Sequence, residues 1–180
     1  PGHHTPDRII NQGRTLILEF DDTLHNKTYY RLSIDKVCDN AGNCSDTVLN
    51  ELLLAWPECG DIVLSEIMFD PDPPAGLPFC EYIEILNTTA YGFKMSEISL
   101  QLATDIYEFP DAIIDPDEYM IIVNGNDSSE MSSYAKVICT GSIFSLNNES
   151  DLVILKNHNG ALVHGVAYSK EWFGNQLKKD

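Results

Sequence analysis

The chain has 180 residues, with 28 Asp and Glu against 11 Lys and Arg, a net charge of −17. That excess argues against nucleic acid and anionic membrane surfaces as partners, since both are gripped by Lys and Arg. Hydrophobic residues at 43% and charged residues at 22% fit a packed globular protein of one domain, or one domain and a fragment. No apolar run approaches the roughly 20 residues of a membrane helix.

Taken in chain order, the start Pro1-Gly2-His3-His4 reads as a cut inside a longer protein, with no signal peptide in view. Thr15 to Phe20 is a short apolar strand. Tyr29 to Val37 follows, with Tyr30, Leu32, Ile34 and Lys36 on one face. Asp39 to Asn43 is a turn cluster. Glu51 to Trp56 is another apolar run, closed by Pro57. Asp61 to Phe69 alternates, which places Val63, Ile67 and Phe69 on one face. Asp70-Pro71-Asp72-Pro73-Pro74-Ala75-Gly76 can be neither helix nor central strand, because three prolines lack donors and fix φ. Tyr82–Asn87, Ile98–Ala103, Tyr119–Val123, Val137–Cys139, Leu152–Lys156 and Ala161–Tyr168 are the remaining strands. Asn157-His158-Asn159-Gly160 joins the last two, and Asn-Gly supplies the positive φ angles of a tight hairpin.

No window keeps the i, i+3, i+4, i+7 pattern of an amphipathic helix. Short strands separated by turn signals every 8–12 residues or so indicate an all-β sandwich or barrel. The five cysteines, Cys38, Cys44, Cys59, Cys80 and Cys139, have no CxxC spacing, so neither a zinc nor a redox motif is present. Cys38 and Cys44 flank the Asp39–Asn43 turn and can meet across it as a disulfide; the alternative is that all five are reduced core residues. Glycosylation acceptor triplets begin at Asn26, Asn43, Asn87, Asn126 and Asn148.

Four pieces between about Gly60 and Trp172 together resemble a lamin tail domain. They are Asp61-Ile62-Val63-Leu64-Ser65-Glu66-Ile67-Met68; Glu81-Tyr82-Ile83-Glu84-Ile85-Leu86-Asn87; Tyr107-Glu108-Phe109-Pro110 followed by Ile114-Asp115-Pro116-Asp117-Glu118-Tyr119; and Ser145-Leu146-Asn147-Asn148 with Asp151–Leu155 and Asn159-Gly160. Two departures stand out: Ile98 lies near a position where the family usually has Trp, and Asp117 stands where it usually has Gly after Pro. The segment Ile67-Met68-Phe69-Asp70-Pro71 is similar to the bacterial members. Tyr29–Ile34 with the Asp39–Asn43 turn resembles the closing strands of bacterial immunoglobulin-like surface domains. The resemblances imply an all-β, immunoglobulin-like β-sandwich of lamin-tail type over residues 57–180. It is preceded by a partial Ig-like unit, the truncated end of another domain, over residues 1–56.

Candidate chemistry is sparse. Ser33-Ile34-Asp35-Lys36 and Ser133-Tyr134-Ala135-Lys136 match SxxK, but in a strand i and i+3 face opposite ways and the companion motifs are missing. There is no GxSxG, HExxH or phosphate-binding glycine loop. Glu66 and Glu84 are the one carboxylate pair with an acid/base reading; the plainer reading is a hydrogen-bonded sheet face. Asp70, Asp72, Asp115 and Asp117, with Asp21 and Asp22, are oxygen donors suited to calcium, without a complete calcium-loop pattern. His3, His4, His25, His158 and His164 have no metal-ligand spacing. The expectation is a non-catalytic module with no catalytic residues, no cofactor and no metal, those aspartates being the weak candidates for calcium. It is expected on a secreted or cell-surface bacterial protein, serving adhesion, spacing or recognition of a protein or surface glycan. The alternative is an accessory domain that presents a secreted hydrolase to its polymer. Exposed apolar faces in residues 1–56 add self-association as an expected contact.

Overall fold

A computed structural model describes residues 5–13, 15–21, 23–39, 41–72 and 76–173. The chain divides into two compact units, Pro1–Leu54 and Ala55–Asp180. In the first, β1 (Arg8–Gln12) pairs with β2 (Thr15–Glu19) and β3 (Thr28–Ile34) pairs with β4 (Val48–Leu54), each pair an antiparallel two-stranded sheet. β1 was not expected: its Asn11 and Gln12 break the apolar alternation, and among the described residues it pairs with β2 alone. Lys36 does not extend the β3 face. The strand stops at Ile34, and Lys36 turns to φ +43°. No described residue of this unit is buried.

The second unit is a β-sandwich. Its strands are β5 (Ile62–Met68), β6 (Tyr82–Asn87), β7 (Phe93–Lys94), β8 (Ile98–Leu102), β9 (Asp105–Glu108), β10 (Ile113–Ile114), β11 (Tyr119–Val123), β12 (Lys136–Cys139), β13 (Ser150–Asn157) and β14 (Leu162–Ser169). One sheet has the order β12-β11-β6-β5, the other β14-β13-β8-β9, and β7 pairs with β10 beside them. Alternation puts Ile83, Ile85, Met120, Ile122 and Ile138 of the first sheet into one core. Leu100, Leu102, Val153 and Leu155 of the second enter the same core, all of them at most 4% exposed. At about 1.5–3 kcal/mol for each large apolar side chain removed from water, this core holds the fold.

The alternation expected through Asp61–Phe69 is broken. β5 bulges between Leu64 and Glu66, so Ile62 and Leu64 face inward before the bulge, and Ile67 and Phe69 after it. Val63 therefore lies on the opposite face from Ile67, because one extra residue reverses a period of two.

β11 and β12 run parallel, so the chain must cross over between them. The crossover carries the single helical turn α1 (Ser128–Met131) over the outer face of the sheet. There Met131 packs with Tyr82, Ile121 and Val123 in a second, smaller cluster that includes Cys80 and Cys139. Among the described residues no helix is long and apolar enough to cross a membrane.

Candidate functional site

The first unit's most defined point is the turn between Cys38 and Cys44. The two are joined by a disulfide with their Cα atoms 4.0 Å apart. Asp39 organises the turn: one carboxylate oxygen accepts the Ala41 and Asn43 backbone N–H groups, and the other accepts the Asn43 side-chain amide, all at 2.9 Å. Those bonds favour the ionised form and hold its carboxyl below the usual range, the Asn43 side chain contributing most. Cys59, Cys80 and Cys139 are free thiols. Burial, with Asp127 and Glu130 nearby, pushes the Cys80 thiol up, which makes it a poor nucleophile.

The fold brings Glu66 and Glu84 together, directly opposite each other on β5 and β6. Tyr82 donates its hydroxyl to Glu66 Oε1 at 2.5 Å, and Ser65 donates to Glu84 Oε1 at 2.7 Å. Burial and the bond to Glu66 hold the Tyr82 phenol well above its usual range. The arrangement satisfies the carboxylates from neighbouring sheet residues, and Tyr82 and Met68 belong to the apolar cluster under α1. A shallow depression elsewhere on this unit is lined by Gly125, Asn126, Thr140, Gly141, Ser142 and Ile143, with no acid, base or thiol among them.

The aspartates are held by local turns. Asp72 donates its backbone N–H to Asp70 Oδ1 at 3.3 Å in the proline-rich loop. Asp115, Pro116, Asp117 and Glu118 form a β-turn closed by Glu118 N–H on Asp115 O; Asp117 sits at φ +57°, the glycine-favouring region. Lys136 ties this turn to β12, with Nζ 3.0 Å from Glu118 and 3.8 Å from Asp115. Asp21 donates its backbone N–H to Asp7. Asp22, His3 and His4 lie outside the described residues. Among the described residues no three His, Cys, Asp or Glu side chains gather in a metal-holding group.

The SxxK pairs do not assemble. Ser133 donates to Glu130 O, whereas Lys136 donates to Ile113 O and Glu118. Ser33 lies within β3 and Lys36 beyond its end.

Three polar side chains that carry the architecture were not singled out as such from the sequence. Asn87, fully buried, donates its amide to the carbonyls of Tyr91, Asp115 and Ile114 and accepts from Thr89 N–H and Oγ. Its glycosylation triplet is therefore closed off in the folded protein. Asn157 accepts the Asn159 and Ala161 N–H groups and donates to Pro57 O. His164 Nδ1 accepts the Leu64 N–H at 3.1 Å, linking the edge strands β14 and β5 of the two sheets. The signal for the first two was an Asn ending an apolar strand, where a side chain can substitute for the missing ladder partner.

The two sheets differ on their outer faces. The crossover segment roofs one. On the other, Leu152, Leu162 and Ile106 are 46%, 51% and 59% exposed, and Ile154 and Gln101 lie between them. Gly165 and Ala167 on β14 keep this surface low, with the Leu162 and Ile154 side chains flanking Gly165. Lys156 and Glu108 are the charged side chains on this face of the four strands.

Residues 57–170 match the family model for the lamin tail domain. No curated protein matches the chain.

Proposed function

The chain belongs to the lamin tail domain family, and from that premise we propose that its immunoglobulin-like sandwich is a recognition module of a secreted or surface-attached bacterial protein. The observation that carries this reading is the uncovered apolar face of the β14-β13-β8-β9 sheet. An apolar surface rimmed by polar residues is what a protein interface presents before it is filled. Leu152, Leu162 and Ile106 supply apolar area, and the ladder of β14, β13, β8 and β9 carries them on one continuous sheet. The face has no aromatic ring to stack on a sugar, so a protein partner fits it better than a glycan. The Cys38–Cys44 disulfide supports an oxidising compartment, where such bonds persist. The high acidity supports solubility of a displayed module.

The test is binding of the labelled chain to intact cells that naturally carry it. The reading expects saturable binding that is lost after protease shaving of the cells and survives glycosidase treatment. Leu152→Lys/Leu162→Lys is expected to weaken it at least about tenfold, the effect of removing roughly 1.4 kcal/mol. Binding that the double substitution leaves unchanged refutes the assignment of this face.

A further inference from the structure

β9 (Asp105–Glu108) is the last strand of the β14-β13-β8-β9 sheet. A two-residue loop, Ala103-Thr104, joins it to β8, so the flanking pair Leu102 and Asp105 exchange hydrogen bonds and the ladder alternates from there. Asp105 and Tyr107 spend their backbone groups on β8, whereas Ile106 and Glu108 turn theirs outward. Gly141 N–H donates to Glu108 O at 3.3 Å from that outward side. The N–H and C=O of Ile106 meet no hydrogen-bonding partner among the described residues. The other edge strands are blunted: β5 by its bulge at Ser65, β14 by Val163 left out of the ladder and by the His164 bond to Leu64, β12 by Lys136. β9 has no bulge, proline or lysine.

We infer that β9 takes an added strand from the partner protein: an extended cationic segment that pairs with Ile106 and with the Glu108 N–H, and that carries Lys or Arg on both sides of an apolar pair. The inference rests on the reading of the adjoining face as the recognition surface, and it names what reaches that surface. Gly165, Ile154, Gln101 and Ile106 stand in one row across the face, and an apolar residue opposite Ile106 continues the row. Opposite charges directly across a ladder favour pairing, and like charges oppose it. Asp105 and Glu108 bracket Ile106 and Tyr107, so the complement of β9 is basic-apolar-apolar-basic, the same in either strand direction. Residues 105–118 carry six Asp and Glu and no Lys or Arg. That charge turns away a second copy of this acidic strand and attracts a cationic one.

The probe is the peptide acetyl-Thr-Lys-Val-Val-Lys-Thr-amide at up to roughly 5 mM, with Glu in place of both Lys as its control. Amide NMR of the full chain should show the Ile106 and Glu108 signals shifting and their exchange slowing with the Lys peptide, an effect that fades as salt rises. The Glu peptide should move neither. Ile106→Pro removes the outward N–H and leaves the β8 ladder in place, whereas Ile106→Ala keeps that N–H. Proline should abolish the response at Glu108 and alanine should retain it, with the Tyr107 amide, bonded to β8, protected in both. Where proline frees Tyr107, the two peptides on the wild-type chain decide alone. No shift at Ile106 and Glu108, an equal response to the Glu peptide, or an equal response of the two variants overturns the proposal. Cell binding separates this from the reading beneath it. If Leu152→Lys/Leu162→Lys weakens it while Ile106→Pro binds as well as Ile106→Ala, the face stands and the added strand alone is overturned.

Discussion

Asn87→Asp changes one atom type at the most enclosed polar position in the sandwich. The wild-type amide nitrogen sits 2.7 Å from Tyr91 O, 2.9 Å from Asp115 O and 3.3 Å from Ile114 O. Its two hydrogens serve the first two, and the longer contact is shared. Asp keeps the oxygen that accepts from Thr89 but turns a second oxygen toward three carbonyls. Two donated bonds are lost, and the carbonyls are left unpartnered at about 1–2 kcal/mol each. An ionised carboxylate buried here, with one oxygen facing carbonyls, also carries a desolvation and repulsion cost of several kcal/mol. The sum is on the order of 4–6 kcal/mol at neutral pH, a large share of the roughly 5–15 kcal/mol of a typical domain. Protonation relieves part of this, since a carboxylic acid can donate to one carbonyl. The carboxyl's folded-state pKa therefore lies above the unfolded value of about 3.9, and the variant regains stability as pH falls from neutral through that folded-state value. Urea unfolding near pH 7.5 and pH 5 measures both effects, with Asn87→Ala as the comparison that has no titrating group. An Asn87→Asp protein within about 1 kcal/mol of wild type at pH 7.5 would refute this account of Asn87.

Two backbone substitutions should move stability in opposite directions. Asp117→Gly relieves a non-glycine residue at φ +57° and should stabilise by about 0.5 kcal/mol. Gly160→Val, at φ +76° with open space around a Cβ, should cost about 1–3 kcal/mol through the backbone alone; thermal melts check both. Glu81 accepts the Leu146 N–H, but burial raises its carboxyl above the usual range. Its ionised form therefore weakens the fold at neutral pH, and the deficit closes as pH falls through the folded-state value toward the unfolded one. Glu81→Gln should melt higher than wild type at pH 7, with the difference vanishing near pH 4. Reducing the Cys38–Cys44 bond releases a closed loop of about seven residues, worth about 2 kcal/mol in the chain-entropy picture. Faster amide exchange at Ser45, whose N–H is held on Val37 O, is the expected readout.

Ten apolar runs were legible as strands because alternation and turn residues agree along them. The short strands were not. β9 is four residues long with two acids, and β7 and β10 are two residues each, too short for any period to show. The hairpin at Asn157–Gly160 was legible as a turn, but Gly160 is its only residue at positive φ. Asn157 O accepts the Gly160 N–H and Asn157 N–H donates to Ala161 O, a three-residue loop with a glycine bulge rather than a two-residue turn. The bulge at Ser65 was invisible, since an inserted residue in a strand leaves no compositional mark. Glu66 and Glu84 were individually visible, but their apposition depends on the bulge that sets the β5–β6 register. His164 carries no sequence signal beyond its place in the Ala161–Tyr168 strand. Its bond to Leu64 spans 100 residues, and such a contact exists only once both sheets are closed.

The central claim is that the sandwich recognises its partner through the bare outer face of the β14-β13-β8-β9 sheet. Hydroxyl-radical footprinting of the chain, free and bound to intact cells, addresses it side chain by side chain. The account predicts that Ile106, Leu152 and Leu162 lose reactivity on binding while Tyr119 and Tyr134, exposed elsewhere on the same unit, keep theirs. Protection of Tyr119 and Tyr134 with Ile106, Leu152 and Leu162 unchanged would contradict it.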